Sequence, residues 1–186
     1  FGAKGKLTVS PAPLLTITGD CPLAAGGGYS GLEHYLYRIE IADPDALGQA
    51  RFKWSQWNGG LVGRGLYAAA APGSGTVTIT ANDQMINHCG VSDFHLEALV
   101  FDATLGAWQV TLSADATLAQ DGVLSLTQVQ GVWPAATPAS GFFRLWNGIA
   151  RVADFPVGGA NPVELKDGIR VEFEAATANN ANYQPG

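Results

Sequence analysis

Two neighbouring segments of the chain alternate between apolar and polar residues with a period of two. They are YLYRIEI at 35–41 and ARFKW at 50–54, and in the second the polar positions are Arg51 and Lys53. Successive side chains of a β-strand point to opposite faces, so this period predicts two strands that each bury one face. The link between them contains Asp, Pro and Gly, which form turns. We expect the two strands to pair as an antiparallel hairpin, with Lys53 on the outer face.

Short apolar or alternating runs recur along the rest of the chain. The predicted strands are Leu14–Thr18, Thr76–Thr80, Trp108–Leu112, Leu124–Gln130, Phe142–Leu145 and Ile169–Phe173. Turn-forming pairs punctuate the chain at Asn58-Gly59, Pro72-Gly73, Asp121-Gly122, Asn147-Gly148 and Asp167-Gly168. Short strands separated by such turns are typical of an all-β antiparallel β-sandwich or barrel with little or no helix.

One segment is ambiguous. Ser92 is a suitable N-cap for a helical turn over 93–97, whereas the apolar run at 98–101 suits a buried strand equally well. We leave both alternatives open.

The length of the chain limits how many domains it forms. A chain of 186 residues supports one domain with a real core, and we expect a single β-domain at 1–174 with a possible inserted β-subdomain at 61–138. The tail at 175–186 is rich in Ala, Asn and Gln and reads as an irregular exit or linker. The start at Phe1 suggests a fragment or a processed chain.

Composition excludes several classes of partner. The net charge is −6 and the ten Lys and Arg residues are scattered singly, so no basic patch is available to neutralise a run of phosphates. No apolar run is long enough to span a bilayer. Cys21 and Cys89 form one disulfide or remain reduced, and the sequence does not decide between these states or fix the compartment. We therefore expect neither nucleic-acid binding nor a membrane span.

Carboxylates for acid–base catalysis are available but carry no signature. The candidates are Glu33, Glu40, Asp43, Asp45, Asp93 and Glu97. For Glu40, pairing across strands with Arg38 and Lys53 is the simpler interpretation. No Gly-x-Ser-x-Gly elbow or hydrolase pattern is present. We predict that the chain is not an enzyme.

A metal site would use His88, Cys89 and His95, because imidazole and thiolate are zinc ligands. Their spacing matches no familiar zinc finger, and a fourth ligand would have to come from Asp83, Asp93 or Cys21. The alternative is a half-buried thiol beside loop histidines. Asp43 and Asp45 lack the ligand pattern of a calcium loop and are expected to make a turn. We expect no cofactor.

Five tryptophans offer flat faces for a sugar ring or a protein interface. Most are expected to fill the core, as Trp54 does by its alternation with Phe52. Trp57 lies in the loop with Asn58 and is the tryptophan expected to be most exposed. Trp57 and Asn58 are therefore the predicted contact residues, with core packing of Trp57 as the alternative.

Two long motifs occur in the same order as in a known family. They are GYSGLEHYLYRIEI at 28–41 and ARFKWS at 50–55, followed by RLWNG at 144–148, LKDGIRVEF at 165–173 and YQPG at 183–186. Together they resemble an uncharacterised domain family of large bacterial and phage proteins. The motif residues are Gly31, Leu32, Glu33, Tyr37, Arg38, Glu40, Phe52, Lys53 and Trp54. Residues 61–138 match only loosely, Gln56 and Trp57 replace the family's usual Arg and Asp, and the family's ending continues beyond YQPG, which suggests further residues.

The resemblance implies the kind of assembly to which the chain belongs, but no particular reaction. It implies a non-catalytic structural or adhesive module of a phage-tail-like, virion or cell-surface assembly, such as a contractile injection system. The motif residues would then be part of the scaffold, and the partners would be other domains or subunits of that assembly. The alternative function is a carbohydrate-active domain, either a lectin-like binder of a surface glycan or, less simply, a glycosidase.

Overall fold

The computed structural model describes residues 5–11, 35–43, 49–82, 86, 91–134, 141–159, 163–166, 168–174 and 183. These residues are all-β, as the sequence predicts, and they include no α-helix. No helix in this part of the chain has the length and apolar character needed to cross a membrane. The predicted strand at 14–18 and several candidate residues lie outside the described residues, namely Cys21, Gly31, Leu32, Glu33, Asp45, Asp83, His88 and Cys89.

The described strands are numbered in chain order. They are β1 (Leu7–Pro11), β2 (Arg38–Ile41), β3 (Arg51–Ser55), β4 (Leu61–Ala69), β5 (Gly75–Asn82), β6 (Asp93–Asp102), β7 (Ala107–Leu118), β8 (Val123–Gly131), β9 (Gly141–Trp146), β10 (Gly148–Arg151), β11 (Glu164–Lys166) and β12 (Ile169–Phe173). A 3-10 turn, Val152–Asp154, follows β10. The ambiguous segment after Ser92 is therefore a strand, β6, and the helical alternative is wrong.

The chain divides into two compact units. The barrel unit contains 36–39 and 53–149, and the terminal unit is drawn from 1–35, 40–52 and 150–186.

Six antiparallel strands of the barrel unit close into a barrel. Around the ring their order is β4-β5-β8-β7-β6-β9, and β9 pairs with β4 to complete it. Closure removes the free strand edges that would otherwise pair with other chains. A ring of so few strands is narrow, and side chains fill its interior.

Alternating residues of the barrel strands form its core. The buried side chains on these strands are Leu61, Val77, Phe94, Leu96, Ala98, Leu112, Ala114, Ala116, Leu124, Leu126, Phe143 and Leu145, and Ile86, between β5 and β6, joins them. Small residues make room for large ones, as at Gly63, where a Cβ would collide with the ring of Phe143. The polar or exposed residues of the same strands therefore face outward.

A β-bulge interrupts this alternation in β7. Ala98 pairs with Leu112, but the next residue, Leu99, pairs with Val110, so Thr111 is an extra residue. Because each residue reverses the direction of the side chain, one extra residue exchanges the two faces of the strand. Trp108 and Val110 lie on β7 before the bulge. Regular alternation from Leu112 would point them into the barrel, but the extra residue turns them outward.

The chain after β8 holds this bulge in place. The N–H of Val132 donates to the carbonyl oxygen of Thr111 at 2.7 Å. Gly131 pairs with Leu112 and has φ +91°. A Cβ on Gly131 would lie well inside van der Waals contact of the same Thr111 oxygen. Glycine is required here both by its backbone angle and by the close approach of two main chains.

The terminal unit has its own sheet and core. The sheet order is β1-β12-β11, and β12 has the bounds that the sequence predicts. Phe52 packs against Phe155 and Phe173 with ring centroids 5.0 and 4.7 Å apart. Tyr183 packs edge-on against Phe173 at 5.6 Å and donates its hydroxyl to the carbonyl oxygen of Glu174.

The third sheet has the order β10-β3-β2, so β2 and β3 are hydrogen-bonded neighbours, as predicted. Two details differ from the sequence prediction. Asn147-Gly148 does not close a tight hairpin, because Gly148 already begins the separate strand β10. Lys53 is not on an exposed face: it is 7% exposed, because its ammonium is held by Glu97 and lies over the ring of Trp146.

Candidate functional site

A polar cleft of about 270 Å³ lies on the barrel unit where β6 and β7 meet the β9–β10 connection. Its polar lining includes Asp93, His95, Asp115, Thr117 and Asn147. His95 Nδ1 is 3.7 Å from Asp115 Oδ1, and the Thr117 hydroxyl donates to Asp93 Oδ1 at 2.9 Å. His95 is only 6% exposed, so little of its imidazole reaches the cleft.

The cleft does not assemble a metal centre from the described residues. No group of three or more His, Cys, Asp and Glu among them is placed to hold a metal ion. The predicted zinc ligands His88 and Cys89 lie outside the described part of the chain, and His95 faces Asp115.

Of the other candidate carboxylates that the structure describes, Glu97 is the most deeply buried. Both of its oxygens accept hydrogen bonds from Lys53 Nζ, at 2.8 and 2.9 Å. Trp146 Nε1 donates to Oε2 at 2.8 Å, and the Lys53 ammonium lies 4.8 Å from the centre of the Trp146 ring. Glu97 is thus held by a cation and an indole in a site closed to water, an arrangement suited to stability and not to proton transfer with a substrate.

Three other family-like motif residues, Tyr37, Arg38 and Trp54, make defined contacts. The rings of Tyr37 and Trp54 stack with centroids 6.3 Å apart. The side chain of Arg38 lies against Gly59, whose φ is +104°. Lys53 pairs with Glu97, a residue that lies 44 residues further along the chain and that the sequence did not indicate as its partner.

An aromatic face covers part of the outer surface of the barrel. It consists of Phe101 on β6, Trp108 on β7 and Phe142 on β9. The ring centroids of Phe101 and Trp108 are 5.6 Å apart, and those of Trp108 and Phe142 are 5.2 Å apart. Trp108 is 56% exposed and Phe101 is 53% exposed. The bulge at Thr111 is what turns Trp108 outward.

A depression adjoins the aromatic face and shares Phe142 with it. Its volume is about 350 Å³, and it is lined by Val62, Gly63, Arg64, Ala81, Asn82 and Phe142. Arg64 and Phe142 are directly paired residues of β4 and β9. Gly63 and Phe143, their neighbours, point into the barrel, so Arg64 and Phe142 share the outer surface. The aromatic face thus continues into a largely apolar recess whose polar side chains are Arg64 and Asn82.

The predicted contact residue Trp57 is in a different place. It is half-buried and packs against the barrel core, and its N–H donates to Ser55 Oγ at 3.0 Å. Asn58 is exposed with φ +45°. The prediction that Trp57 is the most exposed tryptophan is wrong, since Trp108 is the one that faces solvent. Sequence alone gave no sign of this, because Trp108 belongs to a strand whose alternation is reversed by the bulge.

Trp57→Ala is expected to destabilise the protein by about 1–2 kcal/mol, because the half-buried indole would leave an unfilled space against the core. Urea unfolding followed by circular dichroism measures the loss. Asn58→Ala at the next position is the control for a change in the same loop. A Trp57→Ala midpoint equal to that of the parent would contradict packing against the core.

The chain was compared with family models, curated proteins and solved structures, and none of them matches it.

Proposed function

We propose that the chain is a non-catalytic adhesive module whose contact surface is the aromatic face. The observation that carries the proposal is the exposure of Trp108 between Phe101 and Phe142. Large aromatic side chains on a soluble protein lose free energy by facing water, and clusters of them mark sites of interaction. Aromatic residues are also the side chains that dominate binding energy at interfaces.

The position of these residues favours binding over a purely internal role. All three stand on barrel strands, whose backbone is fixed by hydrogen bonds on both sides. A rigid aromatic surface loses little conformational entropy when a partner covers it. The aromatic face is therefore organised before any partner arrives.

The remaining polar groups support a module without catalysis. The imidazole of His95 is nearly closed to solvent, and Glu97 is held by Lys53 and Trp146. The resemblance of 28–41 and 50–55 to the family of large bacterial and phage proteins supplies the context: a phage-tail-like, virion or cell-surface assembly whose other domains or subunits are partners.

Trp108→Ala is expected to weaken binding at least tenfold, about 1.4 kcal/mol, while leaving thermal stability nearly unchanged. The measurement is biolayer interferometry of the full chain against the products of neighbouring genes and a panel of surface polysaccharides. Tyr35→Ala, which removes a half-exposed ring outside the aromatic face, is the matched control and is expected to bind like the parent. Equal binding by Trp108→Ala, or no binding to any probe, would reject the proposal.

A further inference from the structure

We infer that the aromatic face and the adjoining depression bind an acidic saccharide, with its carboxylate on Arg64. This inference rests on the proposed function, since it names the ligand class of the same surface.

Arg64 is an exposed cation, whereas Arg144 and Arg170, which also have no carboxylate at ion-pair distance among the described residues, are partly buried. Lys6, Arg51, Lys53 and Arg151 each pair with a carboxylate. Within the described part of the chain, no carboxylate lies at ion-pair distance from Arg64, and its side chain is exposed. Although the protein has a net charge of −6, a guanidinium that is not paired with an acidic group attracts anions locally.

The guanidinium of Arg64 favours an anion of matching geometry, such as a carboxylate. Its planar donors match a carboxylate in a two-point hydrogen-bonded geometry. Asn82 adds an amide to the lining of the same depression, and amides recognise hydroxyl groups. A ligand that places a carboxylate on Arg64 and hydroxyls along a lining that includes Asn82 is a sugar acid, such as a uronic or sialic acid.

The aromatic rings fit the remainder of such a ligand. One face of a sugar ring is lined by C–H groups, which pack on the negative face of an aromatic ring. Phe142 lines the depression, and its ring centroid lies 5.2 Å from that of Trp108, so the aromatic face begins at the depression that contains Arg64. The depression, at about 350 Å³, is at the small end of the range of small-molecule sites, about 300–1,000 Å³. A bound acidic sugar would fill the depression and extend across Trp108.

Nucleic acid is a poorer fit to the same chemistry. Stable binding to a phosphate backbone needs several cations that each contact a phosphate. The depression offers one, since the other lining residues are Val62, Gly63, Ala81, Asn82 and Phe142. A single carboxylate on a stacked ring matches one guanidinium.

The test is isothermal titration of the full chain with uronic- and sialic-acid oligosaccharides and with the methyl ester of each, which keeps the ring and removes the charge. The parent is expected to bind at least one acid at least tenfold more tightly than its ester, and added salt is expected to reduce that difference. Arg64→Gln is expected to abolish the preference, whereas Trp108→Ala is expected to weaken binding of acid and ester alike. Arg151→Gln, which removes an exposed cation elsewhere, is the control and should change neither.

The outcomes separate the two levels of proposal. Equal binding of acid and ester by the parent, or an acid preference that survives Arg64→Gln, would overturn the inference about the acidic saccharide. If no acid binds but another probe shows Trp108-dependent binding, the inference fails and the adhesive function stands. If no probe binds through Trp108, both fail.

Discussion

Replacing Lys53 by methionine is expected to lower the free energy of unfolding by about 3–5 kcal/mol, because it leaves the Glu97 carboxylate buried without its cation. Methionine retains most of the length of the side chain, so the loss arises from charge and hydrogen bonding more than from a cavity. Glu97→Gln is also expected to lower the free energy of unfolding, because the Lys53 ammonium would remain buried beside a neutral amide.

The double variant Lys53→Met/Glu97→Gln is expected to be more stable than the sum of the two single losses predicts. It contains no buried charge, and the glutamine oxygen still accepts the hydrogen bond from Trp146 Nε1. Guanidinium unfolding of the four proteins gives the coupling energy. The exposed pair of Arg151 and Asp154, in which the hydrogen bond from Arg151 lowers the pKa of the carboxyl, provides the control: Arg151→Met should hardly move the midpoint. Single losses below about 1 kcal/mol would mean that water reaches the pair.

Gly131→Ala is expected to cost about 2–4 kcal/mol. Two penalties act at this position: φ is +91°, which residues with a Cβ rarely adopt, and the new Cβ would collide with the carbonyl oxygen of Thr111. Neither backbone can move without disturbing the hydrogen bond between Val132 and Thr111. Thermal unfolding measured by calorimetry gives the size of the loss.

Gly122→Ala separates the two penalties. Gly122 also has a positive φ, +79°, but no atom lies within 4 Å of the site of its Cβ. Gly122→Ala is expected to lose about 1 kcal/mol of stability, and this loss measures the cost of the backbone angle alone. If Gly131→Ala proves no more costly than Gly122→Ala, the close approach to Thr111 contributes nothing. Because the bulge turns Trp108 outward, Gly131→Ala is also expected to change tryptophan fluorescence, whereas Gly122→Ala is not.

The sequence predicts strands well where a single period governs the whole element. β12 alternates without interruption and its bounds were predicted correctly. β4 reads LVGRGLYAA and was missed, because its glycines give no apolar alternation although they are needed inside the barrel. The sequence does not decide whether β6 is a strand or a helix. Both faces of β6 are buried over much of its length, and a continuous apolar run suits either structure.

The candidate sites were harder to predict because they depend on pairing between distant residues. Lys53 is buried by Glu97 and Trp146, which lie in other strands. Its alternation with Phe52 therefore does not predict that it is buried. Trp108 is exposed because of one extra residue in β7, and a bulge has no signature that local sequence reveals here. Arg64 and Phe142 meet only when β4 and β9 close the barrel.

The chain enters and leaves the barrel at one place. The N–H of Asn147 donates to the carbonyl oxygen of Trp54 at 2.9 Å, so the segment between them begins and ends side by side. A segment with adjoining ends can be lengthened, shortened or exchanged while the separation of its flanking residues stays the same. The segment between Trp54 and Asn147 can therefore be exchanged for another of different length without moving the two residues that flank it.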